Sequence, residues 1–124
     1  MSYVADSKFT GQTEVVGNGQ CVTLVKKLTG APASSRWREG DKVGDLLRAG
    51  KTIPKGTAIA TFVNGRYPNY SHGNHAAIFI RALPSGIEVF DQWRGAKPAK
   101  RTIRFGMPKG TGTVRMAENY SVVQ

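Results

Sequence analysis

The sequence contains one cysteine, Cys21, and its surroundings are those of a nucleophile at the start of a helix. The glycine-rich segment GNGQ precedes it, and apolar residues of helical period follow it. A helix N-terminus carries partial positive charge and free N–H groups, which lower the pKa of a thiol and can hold an oxyanion. Gln20 is adjacent to the thiol and is a candidate for shaping that oxyanion site. The alternative is an unreactive cysteine buried on the apolar face of the helix.

A histidine and a carboxylate lie in two strand-like segments further along the chain. His75 opens an apolar run with two alanines after it, so we predict it as general base for Cys21 and general acid for the leaving amine. His72, in a loop, is the other candidate. Asp91 and Gln92 are adjacent on a strand and point to opposite faces, so one of them can orient the imidazole. We favour Asp91 because a carboxylate stabilises an imidazolium, and we keep Gln92 as the alternative.

Hydrophobic periodicity predicts the elements that position these residues. Asn18 is a plausible N-cap, which would place Cys21 at the third position of a helix ending near Leu28. A second, short helix follows a cap at Asp41. Period-two patterns predict strands at 57–63, 75–81, 87–93, 102–105 and 113–117, the second and third of these as a hairpin.

The order of helices followed by an antiparallel sheet indicates the α+β class. A length of 124 residues predicts one domain, 1–124, in which residues 1–16 are a loose N-terminal segment. Residues 64–74 are rich in Gly, Asn, Pro and Tyr and are predicted as a loop, with its behaviour as a lid left open.

The composition is strongly basic: 18 Lys and Arg against 8 Asp and Glu give a net charge of +10 and a pI near 10.2. This charge favours nucleic acid, an anionic cell wall or an acidic protein as partner. Five basic residues, with no acidic residue among them, follow Asp91 closely. They could attract an anionic partner, or they could protect the edge of a sheet from pairing with another strand. They are Arg94, Lys97, Lys100, Arg101 and Arg104.

Cysteine and histidine usage predicts neither a disulfide nor a metal site, because one Cys and two His form no recognisable ligand set. We expect no cofactor. The first eight residues have no apolar h-region, and no apolar stretch reaches the length of a bilayer span. We therefore expect a product made in the cytoplasm that leaves the cell, if it does, by a leaderless route.

Several ordered segments resemble known cysteine peptidases. The run GQCVTLVK at 19–26, then HAAI at 75–78 and VFDQW at 89–93, resembles the CHAP and NlpC-like peptidases of papain-like fold. With WREG at 37–40, GTAIATF at 56–62 and NGRYP at 64–68, the pattern is most similar to the BPSL-type family related to type VI secretion amidase effectors. The resemblance covers about residues 15–95.

The resemblance implies a peptidoglycan amidase, a toxin that cuts peptide stems or the mDAP–D-Ala cross-link in the walls of rival bacteria. It implies Cys21 as nucleophile, His75 as base and Asp91 as third member, a position that varies among such enzymes. It also implies a Gram-negative producer, action in the target periplasm, and a cognate immunity protein that blocks the groove.

Beside the catalytic candidates, aromatic and polar residues could line a substrate groove or pack structurally: Trp93, Tyr67, Tyr70 and His72. Two rival functions remain at this stage. One is a catalytically silent binding module of the same fold. The other is a basic nucleic-acid binder, although the sequence has no recognisable zinc finger, RNP segment or helix-turn-helix.

Overall fold

A six-stranded antiparallel sheet with two α-helices makes up the computed structural model, which describes residues 2–124. The strand order is β1-β6-β2-β3-β4-β5. This architecture agrees with the predicted α+β class. The elements are β1 (Glu39–Lys42), β2 (Ala58–Thr61), β3 (Ala76–Leu83), β4 (Gly86–Trp93), β5 (Ala96–Arg104), β6 (Tyr120–Val123), α1 (Cys21–Thr29) and α2 (Val43–Arg48).

The two core clusters lie on opposite faces of the sheet. Ala76 and Ile78 of β3 face the cluster that contains Leu24 and Val25 of α1, while Phe79 faces the cluster that contains α2. This explains why the strand reads as a continuous apolar run. The predicted hairpin of the second and third strand segments is confirmed as β3–β4.

Helix α1 begins two residues later than predicted. Its N-cap is Gln20, and Cys21 is its first residue, so Asn18 as N-cap was wrong. The Asn18 Oδ1 atom instead accepts hydrogen bonds from the Gln20 N–H at 3.1 Å and the Thr23 hydroxyl at 2.7 Å. Gly17 and Gly19, on either side of Asn18, have positive φ and form a turn there. The helix ends as predicted, at a left-handed Gly30.

The N-terminal segment is packed rather than loose, so the expectation for residues 1–16 was wrong for residues 2–16. The Ala5 N–H donates to the carbonyl of Gly56 at 2.8 Å. Phe9 is 3% exposed, and its ring meets Phe90 of β4 edge-on with centroids 5.9 Å apart. Isolated apolar residues in a polar segment carry no periodicity, which is why the sequence pattern did not reveal this packing.

Other element boundaries also differ from the sequence expectation. Asp41 lies in β1, and the N-cap of α2 is Lys42. In place of the strand predicted at 113–117 the structure has two 3-10 turns, Thr113–Arg115 and Ala117–Asn119. The strand near that end of the chain is β6, buried between β1 and β2. Four residues are too few to show a period of two. In residues 2–124, no helix is both long and apolar enough to cross a membrane.

The packing of Phe9 generates a stability prediction. We expect Phe9→Ala to lower the free energy of unfolding by about 3 kcal/mol, because it leaves a cavity against Phe90. Tyr70, 59% exposed, provides the aromatic control, and Tyr70→Ala should change stability by less than about 0.5 kcal/mol. Urea denaturation of both variants measures this. Equal stability of Phe9→Ala and wild type would contradict the packed N-terminal segment.

Candidate active site

The loop that carries Cys21 is fastened to the sheet by Gln92. This β4 residue is fully buried, and its side-chain carbonyl accepts from the Val16 N–H at 3.0 Å. Its amide nitrogen donates to the carbonyls of Val16 and Gln20, each at 2.9 Å. These three bonds fix the chain just before α1, so Cys21 starts the helix at a defined place on the sheet. The Gln92 side chain makes its hydrogen bonds to this loop, and the hydrogen bond to His75 is made by Asp91 instead, against the alternative that Gln92 orients the imidazole.

His75 and Asp91 form a buried pair at the ends of neighbouring strands. The Nε2 atom of His75 lies 2.7 Å from Oδ2 of Asp91, and the two residues are 7% and 1% exposed. A carboxylate accepts, so Nε2 carries the proton and Nδ1 is the ring nitrogen left for the thiol. The His75 backbone is held by Thr61, whose hydroxyl accepts from the His75 N–H at 3.0 Å. The structure thus brings Asp91 to His75, as the sequence predicted.

Arg101 of β5 completes this group and had no individual role in the sequence prediction. Its Nε donates to Asp91 at 3.1 Å, and Nη2 also reaches the same carboxylate oxygen. Its guanidinium carbon lies 5.1 Å from the ring centroid of Trp93, a cation–π distance. Arg101 pairs with Val89, so it is a diagonal neighbour of Asp91 across the β4–β5 ladder. Knowledge of the β4–β5 register would have identified Arg101 as a neighbour of Asp91.

The electrostatics of the group favour a thiolate and an imidazolium. Burial raises the pKa of Cys21, but hydrogen bonding and charge from His75, with the Ala76 N–H, lower it below its ordinary value. Burial lowers the pKa of His75, but the hydrogen bond with Asp91 and the proximity of the Cys21 thiolate outweigh burial and raise the pKa to about 9. Burial also opposes ionisation of Asp91, yet His75 and Arg101 hold the pKa of that carboxyl below its usual range. The arrangement can therefore supply an activated thiol with a proton donor near it.

Tyr67 lies against the Cys21 thiol, whereas the sequence suggested it only as a residue that could line a substrate groove. Its hydroxyl is 3.8 Å from Cys21 Sγ and accepts a hydrogen bond from the side-chain amide of Asn74 at 3.1 Å. Because Asn74 donates, the Tyr67 proton is free to point at sulfur. Burial and the Cys21 charge raise the pKa of Tyr67, which keeps the hydroxyl protonated. The Tyr67 ring is 5.2 Å from that of buried Trp37.

The remaining predicted residues are at the surface. Trp93 is 46% exposed beneath Arg101, and Tyr70 and His72 are exposed on the 64–74 loop. Gln20 is also exposed; its backbone N–H donates to Asn18, and its carbonyl accepts from Gln92. Within residues 2–124, no cluster of three or more His, Cys, Asp or Glu side chains is arranged to hold a metal ion.

Comparison with known proteins gives concordant matches over nearly the whole chain. A family model described as "Domesticated amidase effector 2" matches residues 2–123. The chain is 45% identical to "Type VI secretion amidase effector 2 protein" of Salmonella typhi, covering 96% of this chain and 94% of that protein. It is 38% identical to "Domesticated amidase effector 2" of Ixodes scapularis, covering 81% of this chain and 69% of that protein.

A solved structure, "Type 6 secretion amidase effector 2 (Tae2)", matches with a TM-score of 0.79 and 40% identity, covering 97% of this chain and 93% of that one. The papain-like α+β fold and the resemblance to type VI secretion amidase effectors, both stated from the sequence, are confirmed. The chain therefore belongs to the Domesticated amidase effector 2 family.

Proposed function

We propose that this protein is a peptidoglycan amidase that works as a cysteine peptidase, with Cys21, His75 and Asp91 as its catalytic residues. The observation that carries the proposal is the buried His75–Asp91 hydrogen bond of 2.7 Å beside a thiol at a helix N-terminus. The names of the relatives, which describe amidase effectors, support the same reaction. We further propose that residues 1–124 act as a single catalytic domain.

The reaction begins with attack of the Cys21 thiolate on an amide carbonyl. The first intrahelical bond of α1 runs from the Leu24 N–H to the Gln20 carbonyl, so the N–H groups of residues 21–23 make no such bond. These donors stabilise the oxyanion. His75 gives its Nδ1 proton to the leaving amine, which departs as a thioester forms on Cys21. His75 then takes a proton from water, hydroxide attacks the thioester, and the carboxylic acid leaves.

The exposed groups around Cys21 fit a peptide substrate that carries carboxylates. We propose that Trp93, Tyr70 and His72 contact the peptide and that Gln20 borders the oxyanion site. Basic residues of β5 attract the stem carboxylates by long-range steering. The scissile bond lies within a peptide stem or at the mDAP–D-Ala cross-link.

The relatives' names also suggest a biological setting. The Salmonella relative is named for type VI secretion. We propose that this chain is made in the cytoplasm of a Gram-negative bacterium, is delivered into the periplasm of a rival, and is blocked in its producer by a cognate immunity protein that covers the groove.

Digestion of purified sacculi tests this function directly. Wild type should release new amino groups, and Cys21→Ala should lower the rate by about 10⁴-fold or more, because the nucleophile is absent. Mass spectrometry of the products identifies the bond: shortened stems mean a cut within the stem, and monomers from cross-linked dimers mean a cut at the cross-link. Lys51→Ala, at an exposed position, is the control. Unchanged sacculi with folded wild type, or equal rates in Cys21→Ala, would refute the proposal.

The contact between Arg101 and Asp91 generates a second prediction, read from alkylation of Cys21 by iodoacetamide against pH. We expect Arg101→Met to move the acid limb of the alkylation rate–pH profile up by about 0.5–1 pH unit, because Asp91 loses the partner that holds it against His75 and the imidazolium is then less well placed to stabilise the thiolate. Arg101→Lys should restore part of the shift. Arg104→Met, which removes a charge from the same strand, should leave the limb in place. An unshifted limb in Arg101→Met would show that Arg101 has no part in activating the thiol.

A further inference from the structure

Three arginines line one cavity at the protein surface. The cavity has a volume of about 350 Å³, and its wall includes Arg36, Arg38 and Arg66 beside Tyr3 and Pro32. A volume near 300 Å³ is at the lower end for a small-molecule site. All three arginines are exposed. No Asp or Glu contributes to the wall.

None of the three arginines forms an ion pair with an Asp or Glu side chain in the part of the chain that the structure describes. The contact given for their side chains is a hydrogen bond from Arg66 to the carbonyl of Ser35 at 3.3 Å. Like charges gathered around one cavity repel each other, and a bound anion relieves that repulsion.

The backbone that carries the three side chains is ordered by hydrogen bonds before any ligand arrives. Arg38 and Gln124 exchange two backbone hydrogen bonds of 2.6 and 2.8 Å, and Arg38 also bridges to Arg66. Arg66 closes a turn with Val63, and Arg36 ends a 3-10 turn whose N–H to Ala33 carbonyl bond is 2.9 Å. A site whose backbone is already ordered loses less entropy when it binds.

We propose that this cavity, defined here as the arginine pocket, binds a phosphate group. Guanidinium groups pair with phosphate through two parallel hydrogen bonds, and a phosphate has enough oxygens to engage several of them at once. Two buried rings connect the pocket to the catalytic group. Trp37 lies between Arg36 and Arg38 in sequence and packs against the tilted ring of Tyr67, which follows Arg66 and whose hydroxyl lies 3.8 Å from Cys21 Sγ. The pocket is separate from the proposed amidase chemistry and does not depend on it.

Titration with inorganic phosphate at constant ionic strength tests the pocket, observed by ¹H–¹⁵N NMR of the arginine Nε–H groups. Wild type should show saturable shifts at the three pocket arginines. The double variant Arg36→Gln, Arg66→Gln should bind roughly tenfold more weakly, since two guanidinium forks are lost. The double variant Lys51→Gln, Lys109→Gln removes the same charge from exposed positions elsewhere and should bind like wild type.

Two further ligands identify the source of the phosphate. If the protein is retained on phosphatidylglycerol vesicles but not on phosphatidylcholine vesicles, and the pocket double variant is not retained, the phosphate belongs to a lipid headgroup. Binding of a glycerol-phosphate oligomer without vesicle retention assigns it to a wall polymer. Shifts that do not saturate, or equal weakening in both double variants, would overturn the proposal. Sacculus digestion is measured separately, so failure of the pocket and failure of the amidase are distinguishable.

Discussion

The buried carboxylate of Asp91 is the constraint on which the rest of the site depends. It is 1% exposed, and a charge so placed is costly unless cations and hydrogen bonds compensate for it. His75 and Arg101 supply that compensation from the two strands that flank the Asp91 strand in the sheet. The hydrogen bond from His75 that helps keep Asp91 ionised also makes His75 more basic, and a more basic imidazole holds a proton while Cys21 is a thiolate. Folding and activation of the nucleophile therefore rest on one set of contacts.

The sheet and the loop before α1 position different residues of the site. Strands β3, β4 and β5 fix His75, Asp91 and Arg101 relative to each other through ladder register. Gln92, the neighbour of Asp91 on the opposite face, fastens the loop before α1 and so places Cys21. One strand thus orients the base through residue 91 and holds the nucleophile's loop through residue 92. Alternation of side chains along a strand makes this possible.

The three residues proposed as catalytic could be identified from sequence because each has a local signature. Cys21 follows a glycine turn and opens an amphipathic helix, and His75 and Asp91 lie at the ends of apolar strand runs. Arg101 could not be identified this way, because its role depends on the register of β5 against β4. The packing of Phe9 and the position of β6 likewise depend on contacts between distant parts of the chain, which local hydrophobic periodicity does not detect.

The central claim is that Cys21 and His75 rest as a thiolate–imidazolium pair. A pH titration of the His75 ring nitrogens by ¹⁵N NMR tests it most directly. Our account predicts that the ring keeps both protons through neutral pH and loses one near pH 9, and that Cys21→Ala lowers this value because the thiolate no longer stabilises the cation. A ring that is neutral at pH 7 in the wild-type protein, with an ordinary transition near about pH 6.5, would contradict the account.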